Sequence, residues 1–139
     1  SERYGEINFT AIGFGNYKIM TAGGVLGRQG EEWARTYFLK QHYEILEQNW
    51  TFDRAEVDLI LYQDQTLIFV EVKTRSGQAF GKPEEFVDAA KQKHIQRAAE
   101  EYIRLMNHQG EVRFDIFAIL VNQDQAPSVN HILDAFWPE

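Results

Sequence analysis

Asp58, Glu71 and Lys73 are the residues of this chain whose types and spacing suit them to chemistry. They lie in EVDLILYQDQTLIFVEVKTR, residues 56–75, where two apolar runs face each other across a short polar turn and each run carries charges that a covered sheet rejects. Opposed residues of an antiparallel pair have a constant sum of numbers, and the turn sets that sum. A four-residue loop Gln63-Asp64-Gln65-Thr66 and a tight turn centred on Asp64-Gln65 both place Tyr62 opposite Leu67. Asp58 then opposes Glu71 and Glu56 opposes Lys73, all four on one face, with Val57, Leu59, Val70 and Val72 on the other.

Directly opposed residues have Cβ atoms about 4.5–5.5 Å apart, a separation at which like charges destabilise a sheet. A shared proton, the Lys73 ammonium or a divalent cation accepting oxygens from both acids would each offset the repulsion. A cation does so best, because carboxylates are hard ligands and Lys73 is then left free to act beside them. The competing reading is a solvated ion-pair ladder on an open face. It loses ground because Ile60, Leu67 and Phe69 share that face, which puts the charges at the lip of a covered sheet.

The rest of the composition narrows the donor set. The 139 residues include no cysteine, so disulfides, thiolate zinc sites and cysteine nucleophiles are excluded and any metal sits on oxygen or imidazole. His42, His94, His108 and His131 form no His-x-x-x-His pair, so they read as surface or structural residues. A net charge of −7 argues against a broad basic surface that coats nucleic acid, but not against a local groove. From Val72 to Arg97 the balance reverses: Lys73, Arg75, Lys82, Lys91, Lys93 and Arg97 stand against three acids. This band borders the candidate site and is the expected nucleic-acid contact, the alternative being an ordinarily charged helix face.

The elements that must position these residues can be read from periodicity. The length suits one domain, with 44% hydrophobic residues to build its core. Residues 1–26 are glycine-rich without sustained periodicity and are read as an arm outside the fold, leaving a domain over 27–139. From Gln29 the spacing of Trp33, Ala34, Tyr37 and Phe38 predicts a helix to about Gln41, with Glu31 and Glu32 in its first turn. Residues 43–50 predict a strand, followed by the hairpin and a loop over 74–82. Pro83 with Glu84 and Glu85 marks a helix start, and apolar spacing carries that helix to about Asn107, unbroken or kinked near Ala89. Residues 114–120 and 129–136 predict two last strands. The fold class is α/β: a central mixed five-stranded sheet flanked by helices, in the order α-β-β-β-α-β-β. No apolar run reaches the roughly 18 residues of a membrane span and no signal-peptide pattern opens the chain, so no membrane association and a cytoplasmic location are expected.

Asp58 followed by Glu71-Val72-Lys73 resembles the PD-(D/E)XK signature of the restriction-endonuclease-like superfamily. The series GRQGEEWARTYFLKQHYEILEQNW, AEVDLI, LIFVEVKTR, FGKPEEFVDAAKQKHI and RFDIFAI resembles, in order and spacing, the YraN-like family of small bacterial proteins over about residues 27–136. That resemblance implies a restriction-endonuclease-like fold related to archaeal Holliday-junction resolvases. It implies Asp58 and Glu71 as metal ligands with the Val72 carbonyl, Lys73 as the catalytic lysine, and Glu31 completing the site, with Glu32 as the substitute if the register slips by one. Two positions depart from the pattern: Ala55 and His42 stand where glycine is usual. The implied activity is Mg2+- or Mn2+-dependent hydrolysis of phosphodiester bonds in DNA, branched or flapped structures included. A noncatalytic nucleic-acid-binding or assembly module with the same fold is the alternative. A homodimer would suit a four-way junction, which has two equivalent scissile strands.

Overall fold

A computed structural model of the chain describes residues 6–8, 23–76, 87–122 and 125–137. It contains β1 (Glu6–Asn8), α1 (Gly23–Lys40), β2 (Glu44–Phe52), β3 (Ala55–Gln63), β4 (Thr66–Ser76), α2 (Ala89–Met106), β5 (Glu111–Asn122) and β6 (Gln125–Ile132). From α1 onward this is the expected α-β-β-β-α-β-β order, with five strands in one mixed sheet. A sixth strand, β1, comes from the segment read as an arm and pairs antiparallel with β6, giving the sheet order β1-β6-β5-β4-β3-β2. Three residues are too few to show a period, which is why the sequence does not reveal this strand.

The β3–β4 hairpin follows the expected register: Tyr62 opposes Leu67 and Leu59 opposes Val70. Asp64 and Gln65 both have positive φ (50° and 63°), as a two-residue turn matched to strand twist requires. β4 then pairs in parallel with β5 over its whole length, so it is central and its middle is buried on both faces. On one face, Trp33, Ala34, Tyr37 and Phe38 of α1 pack against Leu59, Leu61, Ile68, Val70, Phe117 and Ile119. On the other, Ile95, Ala98, Ala99 and Tyr102 of α2 pack against Ile60, Leu67, Phe69, Phe114 and Ile116.

Val57 corrects the expected alternation. It packs with the α2-side core although Leu59, two residues on, belongs to the α1 side. The pleat is broken between them. Opposite, Gln48 pairs with Leu59 and Trp50 with Val57, while Asn49 between them has φ 50°. A residue in the left-handed region turns the local backbone out of the pleat, and asparagine tolerates that region better than most.

Both helices begin elsewhere than expected. α1 starts at Gly23, so Glu31 and Glu32 lie inside it rather than in its first turn. Gly23 and Gly24 made the start of this helix look like part of the arm, while Gly30, inside the expected helix, is buried: a Cβ there would collide with Thr74 Oγ1 and come within 3.3 Å of Ile119 Cδ1. Close approach of helix to sheet outweighs glycine's low helix propensity. α2 starts at Ala89, where the Asp88 carboxylate caps it by accepting from Lys91 N–H at 2.9 Å. Pro83 lies outside the described residues. At the C-terminal end β6 covers Gln125–Ile132 instead of 129–136. Pro127 falls within this strand where the β5–β6 register shifts, so its missing N–H costs the ladder little. Beyond Ile132 the chain turns: Asp134 has φ 52°, its N–H donates to Asp115 Oδ1 at 2.9 Å, and Ala135 N–H donates to the Phe114 carbonyl at 2.7 Å.

Candidate active site

β3 and β4 separate past the Leu59–Val70 pair, and the site is built where their pairing stops. The freed Val72 N–H donates to Asp58 Oδ2 at 2.7 Å, so the Asp58 carboxylate takes the place of a ladder carbonyl. Asp58, Glu71, Val72 and Lys73 line one cavity of about 350 Å³, closed on one side by Gly27 and Glu31 of α1 and on another by Lys91 of α2. Glu31, Asp58, Glu71 and Lys73, separated by up to 42 positions in sequence, thus meet at one rim of the sheet.

Glu71 is 4% exposed and holds two cations, Lys91 Nζ at 2.5 Å and Lys73 Nζ at 3.3 Å, both on Oε1. Desolvation of so buried a carboxylate is offset only by charges this close. Lys91 reaches it from the first turn of α2. The Asp88 cap orients that turn.

The electrostatics follow from crowding acids in a partly buried cavity. Burial, and then Glu71 beside it, push the Asp58 carboxyl up to about 7, with Glu31 adding to the rise and the Val72 N–H and Lys91 opposing it. Glu31 is raised by burial and by Glu56, Glu71 and Glu32, against a hydrogen bond to the Asn49 side chain that favours its charged form. Burial lowers the Lys73 ammonium, Lys91 acts in the same direction and Glu71 opposes. Burial works against the charged form of Lys91 too, but Glu71 outweighs it and the ammonium is held above its ordinary range.

Among the described residues no three carboxylate or imidazole groups stand close enough to hold a metal ion by themselves. The donor chemistry nonetheless fits a small hard cation, since every carboxylate of the cavity presents oxygen and Glu31, Asp58 and Glu71 share one enclosure. Lys91 occupies the Glu71 oxygen that an ion would use.

Of the expected nucleic-acid contacts, Lys91 points into the cavity. Lys93, two positions on and so on a different helix face, is exposed, and Arg75 is exposed at the end of β4. Arg97 lies further along α2, 3.5 Å from Asp53. Lys82 lies outside the described residues. Asn49 is the residue that sequence reasoning missed. An asparagine inside a strand-like run was the available signal, since that residue type is depleted in strands and accepts positive φ.

A second polar cluster is structural. Asp115, fully buried on β5, accepts two bonds from Arg113 at 2.9 Å, one from Asp134 N–H, and shares a 2.8 Å bond with His131 Nε2. Hydrogen bonds from His131 and Arg113 hold its carboxyl below the usual range despite burial. With Tyr37 and Tyr43 this network fastens α1 and β6 to the central sheet.

A model of the uncharacterised protein family UPF0102 matches residues 30–119. A UPF0102 protein of Chlorobium chlorochromatii is 41% identical over 119 residues, covering 82% of this chain and 92% of its own length. One from Rhodococcus opacus is 41% identical over 112 residues, with 80% and 95% covered, and one from Christiangramia forsetii is 43% identical over 112 residues, with 81% and 93% covered.

Proposed function

The chain belongs to the uncharacterised protein family UPF0102, and on its carboxylate–lysine cavity we propose that it is a divalent-metal-dependent nuclease hydrolysing phosphodiester bonds in DNA. The observation that carries this reading is the joining of Asp58, Glu71 and Lys73 with Glu31 in one partly buried enclosure at the sheet rim. Asp58, Glu71, the Val72 carbonyl and Glu31 would hold Mg2+ or Mn2+. Such an ion, when bound, supplies Lewis-acid polarisation of a phosphate oxygen and a water acidified toward neutral pH.

The chain's own residues supply the rest. Asp58, protonated up to about pH 7, must release its proton before it can serve as a ligand. Lys73, on the same wall as Glu71 and with a lowered affinity for its proton, would orient the attacking water and offset charge on the phosphoryl oxygens.

One observation favours a noncatalytic nucleic-acid-binding module instead: two ammonium groups already neutralise Glu71 without an ion. The two readings part in a cleavage assay. Linear, single-stranded, flapped and four-way DNA and RNA are incubated with Mg2+, Mn2+ or Ca2+, with Lys73→Ala as control. The nuclease reading expects DNA cleavage with Mg2+ and Mn2+, none with Ca2+, and loss of cleavage in the variant. Cleavage unchanged in Lys73→Ala overturns it, as does inert wild-type protein.

A further inference from the structure

A second cleft lies further along α2. It has a volume of about 380 Å³ and lies between the tip of the β2–β3 hairpin and the middle of α2, lined by Phe52, Arg54, Ala55, His94 and Arg97 together with Asp53. Ala55 is three residues before Asp58 on β3, and His94 is one helical turn beyond Lys91 on α2. Arg97 follows, about 9 Å along the helix axis from Lys91. The cleft and the cavity therefore lie along the same two elements, β3 and α2.

Its chemistry is that of a strand-binding groove. Arg54 and Arg97 are permanent cations, and His94 adds imidazole donors. Among the described residues that line the cleft the sole carboxylate, Asp53, meets Arg97 at 3.5 Å with both side chains more than half exposed (56% and 59%). An ion pair so solvated is weak, and a phosphate can displace it. Beside these cations the alternation of β2 sets two aromatic rings on one side. Trp50 and Phe52 lie nearly parallel, 11° apart with centroids at 6.3 Å. Trp50 is braced edge-on by Tyr102 at 5.1 Å, while Phe52 remains 37% exposed at the cleft. A held aromatic platform next to arginines suits unpaired bases, whose faces are open, and not a duplex, whose bases are stacked on each other.

We infer that this cleft binds a single-stranded DNA segment leading into the cavity, with its phosphates on Arg54 and Arg97 and a base stacked on Phe52. The inference takes its nucleic acid from the nuclease reading and adds the strand state that the enzyme engages next to the scissile bond.

The test measures binding without turnover. Fluorescence anisotropy of a labelled twelve-nucleotide oligo-dT is followed in EDTA across a salt series, for wild type, Phe52→Ala and Arg54→Gln/Arg97→Gln, with melting curves as a check that these surface variants fold. Phe52→Ala should weaken binding on the order of tenfold, the magnitude of losing one stacked base. The arginine pair should flatten the slope of log affinity against log salt by about 1.4, the value for two single-strand phosphate contacts. Unchanged affinity and slope in both folded variants overturn the inference. So does absence of oligo-dT binding by wild type, or tighter binding of a duplex or of oligo-U RNA. Oligo-dT binding through these residues by a protein that cleaves nothing would remove the nuclease reading and leave the cleft standing. Cleavage with normal binding by the variants would do the reverse.

Discussion

The Lys91 ammonium lies 2.5 Å from the Glu71 carboxylate, closer than Lys73 at 3.3 Å, although Lys73 is the sequence neighbour. Glu71 thus carries its own counter-ion, delivered from another element. A divalent ion binding Glu71 must compete with it. Lys91→Met should therefore tighten Mg2+ or Mn2+ binding measured by calorimetry, on the order of tenfold. In EDTA the same variant should lose about 1–2 kcal/mol of unfolding free energy, a discounted figure because Lys73 remains and Lys91 is partly exposed. Weaker ion binding by a folded Lys91→Met protein would show that the lysine assists metal binding and does not oppose it.

Asp58 makes a pH-dependent contribution whose sign is opposite to that of an ion-paired acid. Its folded pKa of about 7 is above the ordinary aspartate value of 3.8, so between these values the folded state binds the extra proton. Its stabilising contribution is complete below the lower value and is lost as pH rises through the higher one. Urea midpoints of wild type should fall from pH 5 to pH 8 by more than those of Asp58→Asn, whose amide does not titrate. Equal pH slopes for the two proteins would remove this assignment. In the same window metal affinity should rise with pH, because the ion displaces the Asp58 proton.

Gly30 sets how closely α1, and with it Glu31, approaches β4. Gly30→Ala drives a methyl group into Thr74 Oγ1, and we expect a loss of about 1–3 kcal/mol by denaturant titration, the usual range for overpacking. Thr74→Ala in the same chain should recover part of that loss. If the double variant is no more stable than the two single losses added, the contact is not the cause.

His42 holds the left-handed position that ends α1, with φ 67°, and Tyr43 N–H closes the turn on the Phe38 carbonyl at 3.0 Å. Histidine is strained there and glycine is not. His42→Gly should raise unfolding free energy by about 1 kcal/mol. A lower melting temperature in that variant would mean that the histidine side chain makes a compensating contact.

Much of the carboxylate hairpin was legible in advance because both of its determinants are local. Apolar alternation and the Asp64-Gln65 turn set the register that pairs Tyr62 with Leu67. The pattern could not show Val57 crossing to the α2 side, since the cause lies on another strand at Asn49. Nor could it show why position 30 is glycine, since the need for a small residue there is a property of Thr74 across the interface.

By itself the sequence determined the side chains on offer, carboxylates and lysines without cysteine, and the order of elements from α1 onward, because residue type and periodicity are carried along the chain. Only the tertiary structure decided that Lys91 rather than Lys73 is the nearer partner of Glu71, that Asn49 reaches Glu31, and that Phe52 and Trp50 stand beside Arg54 and Arg97. Those relationships are set by distance and desolvation between elements far apart in sequence, and no local period encodes them.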